Sequence, residues 1–207
     1  VFSLAKKHFE NIKNTKKIPK IHQKEPKQDG AKRLIIKKDT DTQLLGIAYK
    51  IPNFKHKDIV GLSALAELLS SGKSSILQEI LVDKLGLVNE FYVFCNDSID
   101  ENLFIIVCVC NPKIKATVVE KEVLQILNNL KKGDIKEEDL KKIKNQVKRD
   151  FIFSLNTASS VANIYGDYLA RGDLKPLLNY ENNVEIIYDN TDFTIAIISY
   201  LLSIDDM

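Results

Sequence analysis

Residues 51–89 read IPNFKHKDIVGLSALAELLSSGKSSILQEILVDKLGLVN. After an extended lead-in, Asp58 stands where a helix starts, and Ile59, Leu62, Leu65, Ala66 and Leu69 recur at helical spacing to form a wide apolar stripe. That stripe has to be covered. Ser70-Ser71-Gly72 ends the helix, because glycine enters the left-handed conformation of a helix stop without a steric penalty. Lys73-Ser74-Ser75 then opens a second helix with hydroxyls at its cap, and Ile76, Leu77, Ile80 and Leu81 form its inner face.

Gly72-Lys73-Ser74 invites comparison with a phosphate-binding loop. Such a loop needs a glycine five residues before the Gly-Lys pair and a strand in front, so that backbone N–H groups converge on the phosphates. Here that position is Glu67, inside a helix, where a carboxylate repels phosphate. Nucleotide binding is set aside.

Outward from this hairpin, the pattern changes to strands. Residues 32–38, with Leu34, Ile35 and Ile36, and residues 43–51, with Leu44, Leu45, Ile47, Ala48 and Tyr49, are strand candidates around a polar corner at 39–41. Downstream, residues 87–96 and 101–111 are joined by Asp97-Ser98-Ile99-Asp100, a hairpin by length and turn chemistry, with Cys95 opposite about Leu103. Residues 103–109 are apolar at every position, which predicts a strand inside the sheet with both faces covered. The helices of this chain can cover one face. The other needs more chain or a neighbouring domain.

The second half is helical. Residues 116–131 place Val119, Val123, Ile126, Leu127 and Leu130 inward, and residues 136–155 do the same with Leu140, Ile143, Val147 and Phe151, with Asp134 and Glu137 spaced as a capping box. In residues 157–171, Ala158, Val161, Ala162, Tyr165, Tyr168 and Leu169 form an inner face that Gly172 terminates, and Thr191 caps a further helix to Leu202. At the other end, Phe2, Leu4, Ala5, His8, Phe9 and Ile12 make an amphipathic helix over residues 1–14, followed at 15–30 by a basic, twice proline-broken linker.

At 207 residues and 44% hydrophobic content the chain holds one sizeable domain. Thirty basic and 28 acidic residues leave a net charge of +2, which singles out neither nucleic acid nor an anionic membrane as a partner. No apolar run spans a membrane, and the first residues form no signal peptide. Three cysteines are too few for a disulfide framework and read as reduced thiols in the core. Because the chain opens on Val1 inside a helical pattern, we take it as part of a longer protein. It assigns no compartment; a bacterial source would place it in the cytoplasm or the periplasm.

Several of these landmarks, taken in order, resemble the second half of an insulinase-type (pitrilysin-like) zinc peptidase, the group that includes the mitochondrial processing peptidases. The carriers are Pro52-Asn53-Phe54 after a strand, Asp58 with its apolar helix, Ser71-Gly72-Lys73-Ser74-Ser75, Leu81-Val82-Asp83-Lys84-Leu85-Gly86-Leu87, the charged run 136–144 and Ala170-Arg171-Gly172-Asp173. The resemblance implies an α+β, two-layer sandwich: a mainly antiparallel mixed sheet with helices on one face. It implies that residues 1–14 are the last helix of a preceding domain, 15–30 a linker, and 31–207 the carboxyl-terminal domain with its closing strand missing or altered.

The resemblance also implies what this half does and does not do. Active members hold zinc with an inverted H-x-x-E-H helix in the first half, whereas His8, His22 and His56 here stand apart at no ligand spacing. Zinc is therefore expected in the catalytic half, with no cofactor in this chain, which alone should be inactive. The second half encloses the peptide and often supplies an arginine and a tyrosine seven residues apart. Those positions are Val82 and Asn89 here, or Ile80 and Leu87 in a shifted alignment, so that role does not carry over. Ser71, Gly72, Lys73 and Asn89 remain as residues expected to face the peptide chamber. Expected partners are the catalytic half, in the same polypeptide or as a separate subunit, or a second copy of the chain, together with a peptide substrate. The alternative is a catalytically silent scaffold or assembly subunit of the same fold.

Other features have plainer explanations. The lysines of 141–149 are interleaved with acids and lack aromatics, so they read as a solvated face rather than a nucleic-acid surface. Arg171-Gly172-Asp173 spells an adhesion tripeptide, but a helix stop accounts for its glycine. Ser154, Ser159 and Ser160 have no nearby histidine for a nucleophilic triad.

Overall fold

The structure, a computed structural model, describes residues 1–13, 15, 26, 28, 30–133 and 135–188. Most of the linker, His22 included, the helix from Thr191 and any closing strand lie outside the described residues. In chain order the elements are α1 (Phe2–Phe9), β1 (Leu44–Ile51), α2 (Ile59–Ser70), a π-helix (Gln78–Lys84), β2 (Val88–Cys95), β3 (Asn102–Cys110), α3 (Ala116–Lys131), α4 (Glu137–Ser154), α5 (Ala158–Ala170), α6 (Lys175–Leu178) and α7 (Tyr180–Tyr188). The class is α+β, with a sheet in the order β1-β3-β2, both ladders antiparallel, and helices against one face.

Helix α2 is the pivot. The stripe seen in the sequence understates it: Val60, Gly61, Ala64 and Leu68 are buried as well as the stripe itself, leaving Ser63, Glu67 and Ser70 on a narrow half-buried strip. A helix apolar all round must be enclosed, and α2 is, between β2 on one side and α4 and α7 on the other. Helix α3 lies against β1 and β3, with its five predicted core residues buried. Helix α4 buries Leu140, Ile143 and Val147, and its Phe151 ring stacks on Tyr180 at 4.4 Å. Two lysines of α4, Lys144 and Lys148, both pair with Glu185 of α7 and fix the outer helices to each other.

Four expectations are corrected. The segment 32–38 is no strand: it runs without a ladder partner, and Leu34, Ile35 and Ile36 are exposed. Its apolar content is therefore not satisfied by pairing within the described residues. The second helix of the central hairpin is a π-helix, in which Leu85 N–H donates to the Ile80 carbonyl five residues back at 3.0 Å. Side-chain pairs follow the same spacing, with Gln78 to Asp83 at 3.0 Å and Lys84 to Glu79 at 2.6 Å. No hydroxyl caps it; Ser75 is buried and its Oγ has no hydrogen-bond partner.

The remaining two concern helix starts and faces. Glu137 is the first residue of α4, after Lys136 at the N-cap, and not its third as a capping box requires; Asp134 lies outside the described residues. Helix α5 does begin at a capped Thr157, whose Oγ1 accepts the Ser160 N–H at 3.0 Å, yet none of its residues is buried. Its predicted inner face is half-buried or open.

Candidate functional site

Strand β3 has one face covered by helices and the other partly open among the described residues. In the hairpin, Cys95 faces Phe104 and not Leu103 as the loop length suggested. A one-residue change of register moves a side chain to the other face, so Cys95 joins the covered side, where the Ser63 Oγ lies 3.8 Å from its sulfur. On that side Phe104, Ile106, Cys108 and Cys110 are fully buried. On the opposite side Ala48, Ile105 and Phe94 lie in one row, Gly46, Val107 and Tyr92 in the next, and Leu44 with Val109 beyond them. Leu44 is 68% exposed, Tyr92 47% and Phe94 42%, and the last two stack with centroids 6.2 Å apart. This is a largely apolar, partly exposed sheet face, with Glu90 opposite Val109 and Lys50 opposite Leu103 at its two ends.

The four chamber candidates fall in two places. Ser71 is extended and half-buried, with its Oγ accepting a 2.6 Å bond from Gln146 of α4; Gly72 has φ +76°, the left-handed value a stop requires; Lys73 is exposed. The neighbouring Ser74 hydroxyl pairs with Lys142, so the small-residue turn is tied to α4 at two points. Asn89 stands at a bulge in β2, the extra residue between Val88 and Glu90, and is exposed on a strand whose outer edge pairs with nothing described. Val82, where the family often has arginine, is half-buried against the core.

Among the described residues no group of three histidine, cysteine or acidic side chains is arranged to hold a metal ion. The thiols are free and unsuited to nucleophilic work: burial raises the Cys95 pKa to about 11 and that of Cys108 to about 12, and it raises that of Cys110 as well.

A second arrangement had no signal in the sequence, because its parts come from distant segments. Phe54, buried after β1, meets Tyr168 of α5 edge-on at 6.0 Å, and Arg171 lies over both rings at 5.6 and 5.7 Å. Arg171 donates to Asp97 at 3.0 Å and to Asp167 at 2.7 Å. Burial works against its charge, and the two carboxylates outweigh that to raise its pKa. The Phe54 N–H bond to the Ser98 carbonyl, 2.9 Å, ties the β1–α2 loop to the β2–β3 turn. The adhesion-like tripeptide is thus structural. Arg171 is engaged, and Asp173 accepts the Lys175 N–H at 3.0 Å with Lys55 Nζ 3.9 Å away.

The architecture is an α+β domain with one sheet face left partly open, and comparison with known proteins supplies its class. The family model described as the peptidase M16 inactive domain matches residues 1–147. The chain belongs to the M16, insulinase-type zinc peptidase family, as its inactive domain. It is 44% identical over 184 residues to the zinc protease PqqE of Helicobacter pylori, covering 87% of this chain and 41% of that protein. A solved protease from Helicobacter pylori superposes with a TM-score of 0.88 at 40% identity, over 96% of this chain and 48% of that one. The inactive peptidase domain of a zinc protease from Bordetella parapertussis shares the fold, with a TM-score of 0.69 at 17% identity, over 82% of this chain and 91% of that one. The chain spans less than half the length of the two Helicobacter relatives.

Proposed function

We propose that this chain forms the wall of a peptide-enclosing chamber opposite a zinc-bearing M16 half, and that the open face of its sheet is where the two halves meet. The observation that carries the reading is the face built from Ala48, Ile105, Phe94, Val107 and Tyr92, apolar and uncovered in a chain whose family is that of zinc proteases. Zinc in the partner half would supply an activated water; this chain's residues grip and confine. Helix α1, with no buried residue, fits the last helix of a preceding domain, and residues 31–207 the carboxyl-terminal domain that follows the linker.

Peptide would lie along the free edge of β2 as an added strand, with Asn89 offering its carboxamide at the bulge and Ser71, Gly72 and Lys73 lining the chamber. Mixing the chain with a zinc-bearing half, or joining the two in one polypeptide, should produce chelator-sensitive cleavage of unfolded peptides that the chain alone lacks. Zinc bound stoichiometrically by the chain alone, with cleavage, would overturn the proposal. Val82 and Asn89, at positions where the family often has arginine and tyrosine, favour a second reading, a silent scaffold of the same fold. In that case the halves, or two copies, would associate without cleavage.

A further inference from the structure

Between the β1–α2 loop and the stretch from α5 to α7 lies a cavity of about 410 Å³, within the range of small-ligand sites. Its floor is apolar, with Phe54, Ile59, Val60 and Tyr168, and Lys57, Lys175, Asn179 and Asn183 also line it. Two carboxylates line it too, and both are engaged: Asp97 with Arg171 at 3.0 Å, Asp173 with the Lys175 N–H at 3.0 Å and Lys55 Nζ at 3.9 Å. His56 faces Asp58 at 3.4 Å. Lys57 and Lys175 have no carboxylate partner among the described residues. The Arg171 stack on Phe54 and Tyr168 holds one wall in place before any ligand arrives, which lowers the ordering cost of binding.

We propose that this cavity binds the free carboxyl terminus of a peptide that ends in an apolar residue. An apolar floor beside unpaired lysines asks for a carboxylate and an apolar side chain on the same residue. An acidic side chain in mid-peptide does not combine the two, and a chain end does. The terminal carboxylate pairs with Lys57 and Lys175, charge-assisted, the carboxamides of Asn179 and Asn183 serve the last peptide groups, and the terminal side chain meets the aromatic floor. The choice of a peptide as ligand rests on the peptide-handling reading above. Docking of the catalytic half is measured separately, by complex formation and restored cleavage, so either can fail alone.

The chain lacks tryptophan, so the test is fluorescence anisotropy of the full chain with N-terminally labelled Ala-Ala-Phe as free acid and as carboxyl-terminal amide. The acid should bind about tenfold or more tightly than the amide, since the amide forfeits a charge-assisted pair. A Lys57→Ala/Lys175→Ala double variant should lose that preference. A control, Lys121→Ala/Lys141→Ala, on exposed positions of α3 and α4, should keep it. No binding of the acid, equal binding of acid and amide, or a preference that survives in the first double variant would overturn the proposal.

Discussion

The two faces of β3 carry the same kind of side chain and have opposite fates. Phe104, Ile106, Cys108 and Cys110 are fully buried under helices, while Leu103, Ile105, Val107 and Val109 alternate with them and remain partly open. A strand meant for water on one side alternates apolar with polar residues; one buried on both sides is apolar throughout. The sequence of β3 is of the second kind and its described surroundings are of the first, which supports the proposal that a second half covers the open face.

The largest effect should separate the faces by stability. Ile106→Ala should lower the unfolding free energy of the chain by ~2–5 kcal/mol in a urea titration, whereas Val107→Ala, one residue along, should cost less than ~1 kcal/mol. Equal costs would break the comparison. Next, Tyr92→Asp with Phe94→Asp should leave the isolated chain folded, within ~1 kcal/mol, and weaken association with a zinc-bearing half by ~2 kcal/mol or more, as loss of central aromatic anchors does. Association unchanged in a binding titration would place the docking surface elsewhere.

Smaller changes sharpen the covered side. Gly72 has φ +76° with nothing within 4 Å of an added Cβ, so Gly72→Ala should cost ~1–2 kcal/mol from backbone strain alone; thermal unfolding would show it. The thiols of the covered face report by pH. Burial raises Cys108 from the ordinary 9.0 to about 12 and Cys95 to about 11. From pH 9 upward the unfolded chain releases those protons while the folded chain keeps them, so stability should fall as pH rises from 9 towards 11 to 12. Cys108→Val should make that fall shallower, and an unchanged slope would show that the buried thiol is not its source.

Much of this was legible from residue order. The period of α2 and α3, the Asp97–Asp100 turn and the unbroken apolar run of β3 gave the elements and the central strand, since each is a local pattern. What stayed hidden was set by distant partners or fine geometry. Residues 32–38 have strand composition but pair with neither outer edge of the sheet, and composition cannot supply a partner. The π-helix differs from an α-helix by one residue of hydrogen-bond spacing, below what apolar periodicity resolves. The cavity is assembled from Phe54, Asp97 and the α5 to α7 region, far apart in the chain. The Ser71-Gly72-Lys73 turn was visible as a helix stop, whereas its bonds to Gln146 and Lys142 were not.

The most direct measurement is hydroxyl-radical footprinting of Tyr92 and Phe94 in the chain alone and mixed with a zinc-bearing M16 half, with peptide cleavage followed in the same samples. Both rings should label readily in the isolated chain and become protected as cleavage appears. Cleavage that appears while both rings stay as reactive as before would contradict the account.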